Sequence, residues 1–264
     1  MNEHIVALLT DFGRRDSYVS IMKGVILGID NQVKLVDISH EIALGDVKDA
    51  AYVLSTCVDW FPEGTVFLAV VDPGVGSSRK AVAIRTEKYF YVGPDNGIFT
   101  LALRREKLIS AIEIDCSAWQ SKASSHTFHG RDIFAPVAAY LSQGRNFDSL
   151  GSKISQLVQL DIKPNRVEGE LIYGSILHID TFGNIITSIG EEEGRNLASA
   201  LYVDKHVFPL GSTYSDVACG QPIAYWGSSG YCEAALNGGS ASELLQAKIG
   251  DEVILQLQSG ASKD

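Results

Sequence analysis

The chain of 264 residues is 45% hydrophobic and carries 22 Lys and Arg against 32 Asp and Glu, a net charge of −10. That is enough apolar material for a full core in one large domain or two modest ones, and the lack of any basic run argues against nucleic acid, which is bound through clustered positive charge. Apolar runs such as Thr65–Val71 are strand length and far short of a membrane span, and the opening MNEHIVALLTDFG meets an acid early and runs straight into a strand, unlike a secretory leader.

Ile5–Leu9 reads as a first strand, ending at Thr10-Asp11-Phe12-Gly13. An amphipathic helix follows through about Gly28, with Asp16 or Ser17 as its N-cap. Lys34–Ile38 is a second strand, closing on Asp37 and followed by Ser39-His40. Asp46–Phe61 has helical periodicity and stops before Pro62. Thr65–Val71 is a third strand and gives way abruptly to VDPGVGSSR, an acid, a rigid turn, two glycines, two hydroxyls and a base. Ala81–Arg85 and Tyr89–Val92 form a strand pair, Gly93–Gly97 a strong turn, Ile98–Arg105 a helix and Ile109–Ile114 another strand. A serine-rich stretch, Ser117–Ser125, leads into Thr127–Asp132, and a helix runs from Ile133 to Gln143 with Asp132 as a natural N-cap. Strands alternating with helices indicate an α/β fold with a mostly parallel sheet.

The texture then changes. Val167–Leu171, Ser175–Asp180, Ile185–Ser188, Ala200–Val203, His206–Leu210, Pro222–Trp226, Cys232–Leu236 and Glu252–Leu257 are short segments bounded by Gly, Asn, Asp or Ser. This is the pattern of a small all-β sandwich or barrel. The expected organisation is an N-terminal, mostly parallel α/β sandwich domain over residues 1–160 and a C-terminal all-β barrel domain over residues 165–259, with Ser259–Asp264 a frayed tail.

Three N-terminal strands end in acids, Asp11, Asp37 and Asp72, and in a parallel sheet these can lie along the edge where ligands bind. Each alone is also ordinary turn chemistry. His129, between Phe128 and Gly130, suits acid–base or water-orienting work; Arg131 and Asp132 can simply pair. His40 directly follows a strand-end acid. A metal site is conceivable from these ligand types, but no H-x-x-x-H, D-x-D or H-x-H-x-D spacing is present. Cys57, Cys116, Cys219 and Cys232 have no paired spacing and fit free thiols in a reducing cytoplasm. In the β region, Asp180-Thr181-Phe182-Gly183-Asn184 reads as a turn or as a binding loop. Phe182 offers a ring for stacking, and Asn184 both a donor and an acceptor for a base edge.

TDFG at Thr10–Gly13, VDPGVG at Val71–Gly76 with Arg79, DNG at Asp95–Gly97, TFHGRDIFAP at Thr127–Pro136 and DTFGN at Asp180–Asn184 occur in this order across nearly the whole chain. Together they resemble the S-adenosyl-L-methionine (SAM) hydroxide adenosyltransferases, or adenosine-forming SAM hydrolases, relatives of the fluorinase and chlorinase enzymes. The resemblance implies an α/β domain and a β barrel assembled as a homotrimer, the ligand lying between the N domain of one subunit and the C domain of its neighbour. It implies attack of water or hydroxide on the ribose C5′ of SAM, releasing adenosine and methionine. By motif, Asp72, Arg79 and His129 match the catalytic trio and Asp11 the acid that holds the ribose hydroxyls. Asp180 and Asn184 match positions for the methionine end and adenine. Phe182 and, from the later loops, Ser229, Tyr231, Glu233 and Ala241 are further substrate-binding candidates. Halide-using relatives carry other residues where Asp72 stands, so the trio favours water.

The expectation is a cytoplasmic hydrolase that needs no cofactor or metal and engages neither nucleic acid nor membrane. The alternatives are a non-catalytic SAM- or adenosine-binding module, a SAM halogenase-like enzyme and a metal-dependent phosphoesterase.

Overall fold

A computed structural model describes residues 4–119 and 125–258. The serine-rich stretch Ser117–Ser125 is therefore only partly covered, and the tail Ser259–Asp264 lies outside the described residues. The chain divides into two compact units, Met1–Leu160 and Asp161–Asp264.

The first unit opens with β1 (Ile5–Thr10), α1 (Tyr18–Ile29), β2 (Lys34–Ser39), α2 (Val47–Cys57) and β3 (Val66–Val70). It continues with β4 (Ala81–Thr86), β5 (Phe90–Pro94), α3 (Thr100–Arg104), β6 (Leu108–Ile114), α4 (Cys116–Trp119), α5 (Ala135–Ser142) and β7 (Gly151–Ile154). The seven strands form one sheet in the order β2-β1-β3-β5-β4-β6-β7. Pairing is parallel from β2 through β5 and antiparallel from β5 through β7. Both faces are covered, which is why β1 and β3 read as unbroken apolar runs. Val6, Leu8, Leu68 and Val70 pack with Met22 and Ile26 of α1 and Ala135 and Ala138 of α5. Ala7, Leu9, Phe67 and Val71 pack with Ala50 and Leu54 of α2 and Ala102 of α3. Each such fully buried Val, Leu or Phe stabilises the fold by about 1.5–3 kcal/mol. The parallel β1, β2 and β3 thus deliver their C-terminal ends, Asp11, Asp37 and Asp72 among them, to one edge.

Two local expectations differ from what is found. The helix expected from Ile133 starts at Gly130, with a π-helical turn, Gly130–Phe134, running into α5. Asp132 therefore lies inside the helix and does not cap it; its buried carboxylate accepts from Ser125 N and from the Arg131 guanidinium. Ser17 stands at the N-cap of α1 without a capping side-chain bond, whereas Asp46 caps α2 by accepting from Asp49 N.

The second unit comprises β8 (Arg166–Glu168), β9 (Leu171–Ile179), β10 (Ile185–Gly190), α6 (Glu191–Gly194), β11 (Ala198–Val203) and β12 (His206–Pro209). β13 (Pro222–Trp226), β14 (Tyr231–Leu236), α7 (Ala241–Leu245) and β15 (Glu252–Leu257) complete it. Its strands run β12-β11-β15-β9-β10-β14-β13, all antiparallel, with β8 on β9. A Leu210–Ala224 bridge joins the two ends, so the sheet is a nearly closed barrel around Ile172, Ile185, Leu201, Phe208, Val253 and Leu255. The expected segment Val167–Leu171 runs across the end of β8, a turn at Gly169-Glu170 and the first residue of β9, and β9 begins at Leu171 where the expected segment starts at Ser175. A side chain at Gly174 would run into Ile189 and Ser188, its ideal Cβ lying 2.7 Å from each.

Candidate active site

A cavity of about 440 Å³ opens at the C-terminal edge of the parallel strands, lined by Asp11, Phe12, Leu44, Gly45, Val70, Asp72, Pro73, Val75, Thr127, Phe128, His129 and Gly130. Its position follows from the topology, since ligand crevices of α/β sheets form where strands end and loops diverge. Asp11 and Asp72 face it; Asp37 does not, being engaged with Lys23 and His40.

The centre of the site is a row of three side chains. Arg79 Nε donates to Asp72 Oδ1 at 2.9 Å and Oδ2 at 3.0 Å, and its Nη2 also donates to Oδ2. The same Nη2 lies 2.8 Å from His129 Nδ1. A guanidinium can only donate, so Nδ1 must accept and the single ring proton of a neutral imidazole sits on Nε2. Burial, and then the positive charge of Arg79, hold His129 below the ordinary imidazole range. The Asp72 and Arg79 side chains are 6% and 10% exposed, and Arg79 also stacks over Phe134. The row is therefore a half-buried, charge-balanced unit with fixed donor polarity.

The glycine-rich loop holds its own shape. Ser77 Oγ donates to Gly74 O and accepts from Arg79 N, and a Cβ at Gly74 would lie 3.3 Å from the Arg79 side chain. Asn96 anchors the loop from the DNG turn, its Nδ2 donating to Val71 O at 2.8 Å. Asp95 accepts from Val158 N, and burial pushes its carboxyl above the usual range. The turn was legible in the sequence; its grip on the residue before Asp72 was not. On the other wall Phe128 meets Phe12 and Tyr18 edge-on, and Phe12 and Tyr18 are tilted against each other. Gly130 fits closely there, since a Cβ would lie 3.1 Å from Met22 Sδ. Asp11 accepts from Gly45 N at 2.8 Å.

The remaining candidates belong to the second unit. Asp180 Oδ1 accepts from Phe182 N and Asn184 N, which shapes the loop, while Phe182 is 78% exposed. Asn184 is buried, and its Nδ2 donates both to Asp180 Oδ2 at 2.8 Å and to Tyr214 Oη at 2.9 Å. Both amide hydrogens are thus spent, so the oxygen, not a donor–acceptor pair, is what remains for a ligand. Tyr214 Oη lies 2.6 Å from Tyr225 Oη, and Tyr225 is bonded to Glu233. Glu233 is buried, and burial, with Asp180 nearby, pushes its carboxyl up. Ala241 faces the barrel core, whereas Tyr231 opens β14 and Ser229 lies two residues before it. Tyr214 and Tyr225 carry no motif and were not foreseen. Register supplies the only cue, Tyr225 pairing across the strands with Glu233.

All four cysteines are free thiols. Among the described residues no group of three or more His, Cys, Asp or Glu is arranged to hold a metal ion, and no helix is long and apolar enough to cross a membrane.

Comparison with known proteins places this geometry. Residues 6–151 match the SAM hydroxide adenosyltransferase N-terminal domain, and residues 174–254 its C-terminal domain. An (R)-S-adenosyl-L-methionine hydrolase from Thermus thermophilus is 38% identical, over 95% of this chain and 98% of its own length. A fluorinase from Actinoplanes sp. is 28% identical over 88% of this chain and 91% of its own. The solved structure of an uncharacterized conserved protein from Thermotoga maritima superposes with a TM-score of 0.88 at 35% identity, covering 95% of this chain and 99% of that one. With both of its units matched in order, the chain belongs to the SAM hydroxide adenosyltransferase family.

Proposed function

We propose that the protein hydrolyses SAM to adenosine and L-methionine by attack of water on the ribose C5′. The observation that carries this reading is the Asp72–Arg79–His129 row beside the cavity. The 38% identity to a SAM hydrolase, against 28% to a fluorinase, favours water over halide as the nucleophile.

The chemistry follows from the donor polarity. The sulfonium is already a good leaving group, so the missing element is an aligned oxygen nucleophile. In the step, the water oxygen bonds to C5′ while the C5′–S bond breaks, its electron pair leaving on sulfur as the neutral thioether of methionine. One proton is released from the water. His129, neutral with its proton on Nε2, donates to the developing hydroxide; Arg79 fixes that tautomer and adds positive charge nearby. Asp72 is the base of the row and takes the proton. Holding water about 3 Å from carbon replaces a bimolecular encounter with a positioned one, removing several kcal/mol of barrier.

Asp11, which lines the cavity, is assigned to the ribose hydroxyls, and Asp180 to the methionine end. Asn184 is assigned to adenine through its oxygen, which matches the exocyclic amine. Phe182 supplies a stacking face; Ser229, Tyr231, Glu233 and Ala241 remain candidate contacts of the β unit. The assembly proposed is a homotrimer with sites at subunit interfaces, and the reaction needs no cofactor. The test is incubation of pure protein with SAM, with products followed by chromatography. Adenosine and methionine should rise together, unaffected by chelator; no rise above a heat-killed control defeats the reading. Asp72→Ala should abolish turnover while the fold persists.

A further inference from the structure

His40 is buried to 3% exposure at the end of β2, outside the Asp72–Arg79–His129 row. Its Nδ1 lies 2.8 Å from the hydroxyl of Thr10, which is fully buried at the end of β1. That hydroxyl also accepts from Phe12 N at 3.3 Å, so its own proton points to Nδ1. On the far side of the ring, Nε2 faces Asp37 Oδ1 at 3.1 Å in a bent contact, and Asp37 is held by Lys23 Nζ at 2.7 Å. Nε2 makes no hydrogen bond of good geometry with that carboxylate; the tautomer follows instead from Thr10, whose directed proton makes Nδ1 the acceptor and leaves the ring proton of a neutral imidazole on Nε2, on the carboxylate side. The backbone of His40 acts on the same loop, its carbonyl accepting from Gly13 N at 2.8 Å.

The residues so fixed, Thr10, Phe12 and Gly13, bracket Asp11. We propose that His40, oriented by Asp37 and Lys23 and acting through Thr10, is a positioning residue that sets the Asp11 carboxylate against the cavity. A second fix on Asp11 is the Gly45 N–H, which donates to its Oδ2 at 2.8 Å from the loop that follows His40. Phe12 anchors one part of this loop against Tyr18 and Phe128, and the buried Thr10–His40 bond fixes the residue on the other side of Asp11. The role assigned to Asp11 rests on the proposed hydrolysis; the clamp itself is a statement about the loop.

The experiment compares Thr10→Val, which keeps shape and removes the hydroxyl, with Thr10→Ser, which keeps the hydroxyl, and His40→Asn, whose amide oxygen replaces Nδ1 as acceptor. KM and kcat for SAM are measured together with hydrogen exchange at the Phe12, Gly13 and Gly45 amides. Because a grip on ribose acts alike in ground and transition states, Thr10→Val should raise KM about tenfold with kcat within about threefold. It should also speed exchange at those amides, while Thr10→Ser and His40→Asn stay near wild type in both. Unchanged KM and exchange in Thr10→Val, or a Thr10→Ser variant as impaired as Thr10→Val, overturns the proposal. If wild-type protein does not turn over SAM, the hydrolysis reading has failed separately. Exchange then decides the clamp: faster in Thr10→Val alone supports it, and no difference refutes it.

Discussion

Replacing Asp72 by Asn keeps the side-chain shape while removing the charge that Arg79 grips through both Nε contacts and Nη2. Both side chains are at most 10% exposed, so the guanidinium left behind cannot recover its hydration. Removing one partner of a buried ion pair costs about 3–5 kcal/mol, whereas removing both is far milder. Asp72→Asn and Arg79→Met should therefore each destabilise by about 3 kcal/mol, with the double variant costing less than the sum by about 1–3 kcal/mol. A domain of ordinary stability, about 5–15 kcal/mol, survives either change, so lost turnover reports chemistry and not unfolding. The assay is urea denaturation of all four proteins, reading midpoint and slope. Additivity within about 0.5 kcal/mol would refute the coupled row and, with it, the fixed tautomer of His129.

The same row sets a pH dependence. His129 is held below the ordinary imidazole range, so it is neutral at neutral pH, and protonation would occupy the Nδ1 lone pair that accepts from Arg79. Its contribution to stability is complete above the unfolded value of about 6.5 and is lost as the pH falls below that towards the folded value. The rate should show an acid limb below about pH 6.5 that Arg79→Met moves to higher pH; a limb unmoved by that variant argues against the assignment. In the β unit, a Cβ at Gly227 would overlap the buried Glu233 carboxylate, so Gly227→Ala should cost about 1–3 kcal/mol in thermal unfolding. Gly24→Ala, at an exposed position of α1 with open space around it, should instead stabilise by about 0.5–1 kcal/mol. Equal effects of the two would contradict the packing described.

What the sequence made legible followed from local chemistry. β1 and β3 announced themselves because both faces of a central parallel strand are apolar, and the abrupt Asp-Pro-Gly stop of β3 located the loop that holds Arg79. The β unit was recognisable from short segments between turn residues, although the turn at Gly169-Glu170 and the start of β9 at Leu171 fell inside one expected segment. Asp132 misled because an acid before an apolar run resembles an N-cap, while the turn that begins at Gly130 depends on fitting Met22 and the aromatic cluster. Asp37, Tyr214 and Tyr225 acquire their partners only in three dimensions. Asp37 meets Lys23 from α1, and Tyr214 meets Asn184 thirty positions away in the chain. No spacing rule along the sequence encodes such contacts.

The central claim is that water attacks C5′ of SAM beside Asp72, and isotope labelling tests it most directly. Turnover in ¹⁸O-enriched water should place the label in the 5′-hydroxyl of adenosine and none in methionine. Unlabelled adenosine, or products cleaved at a bond other than C5′–S, would contradict the account.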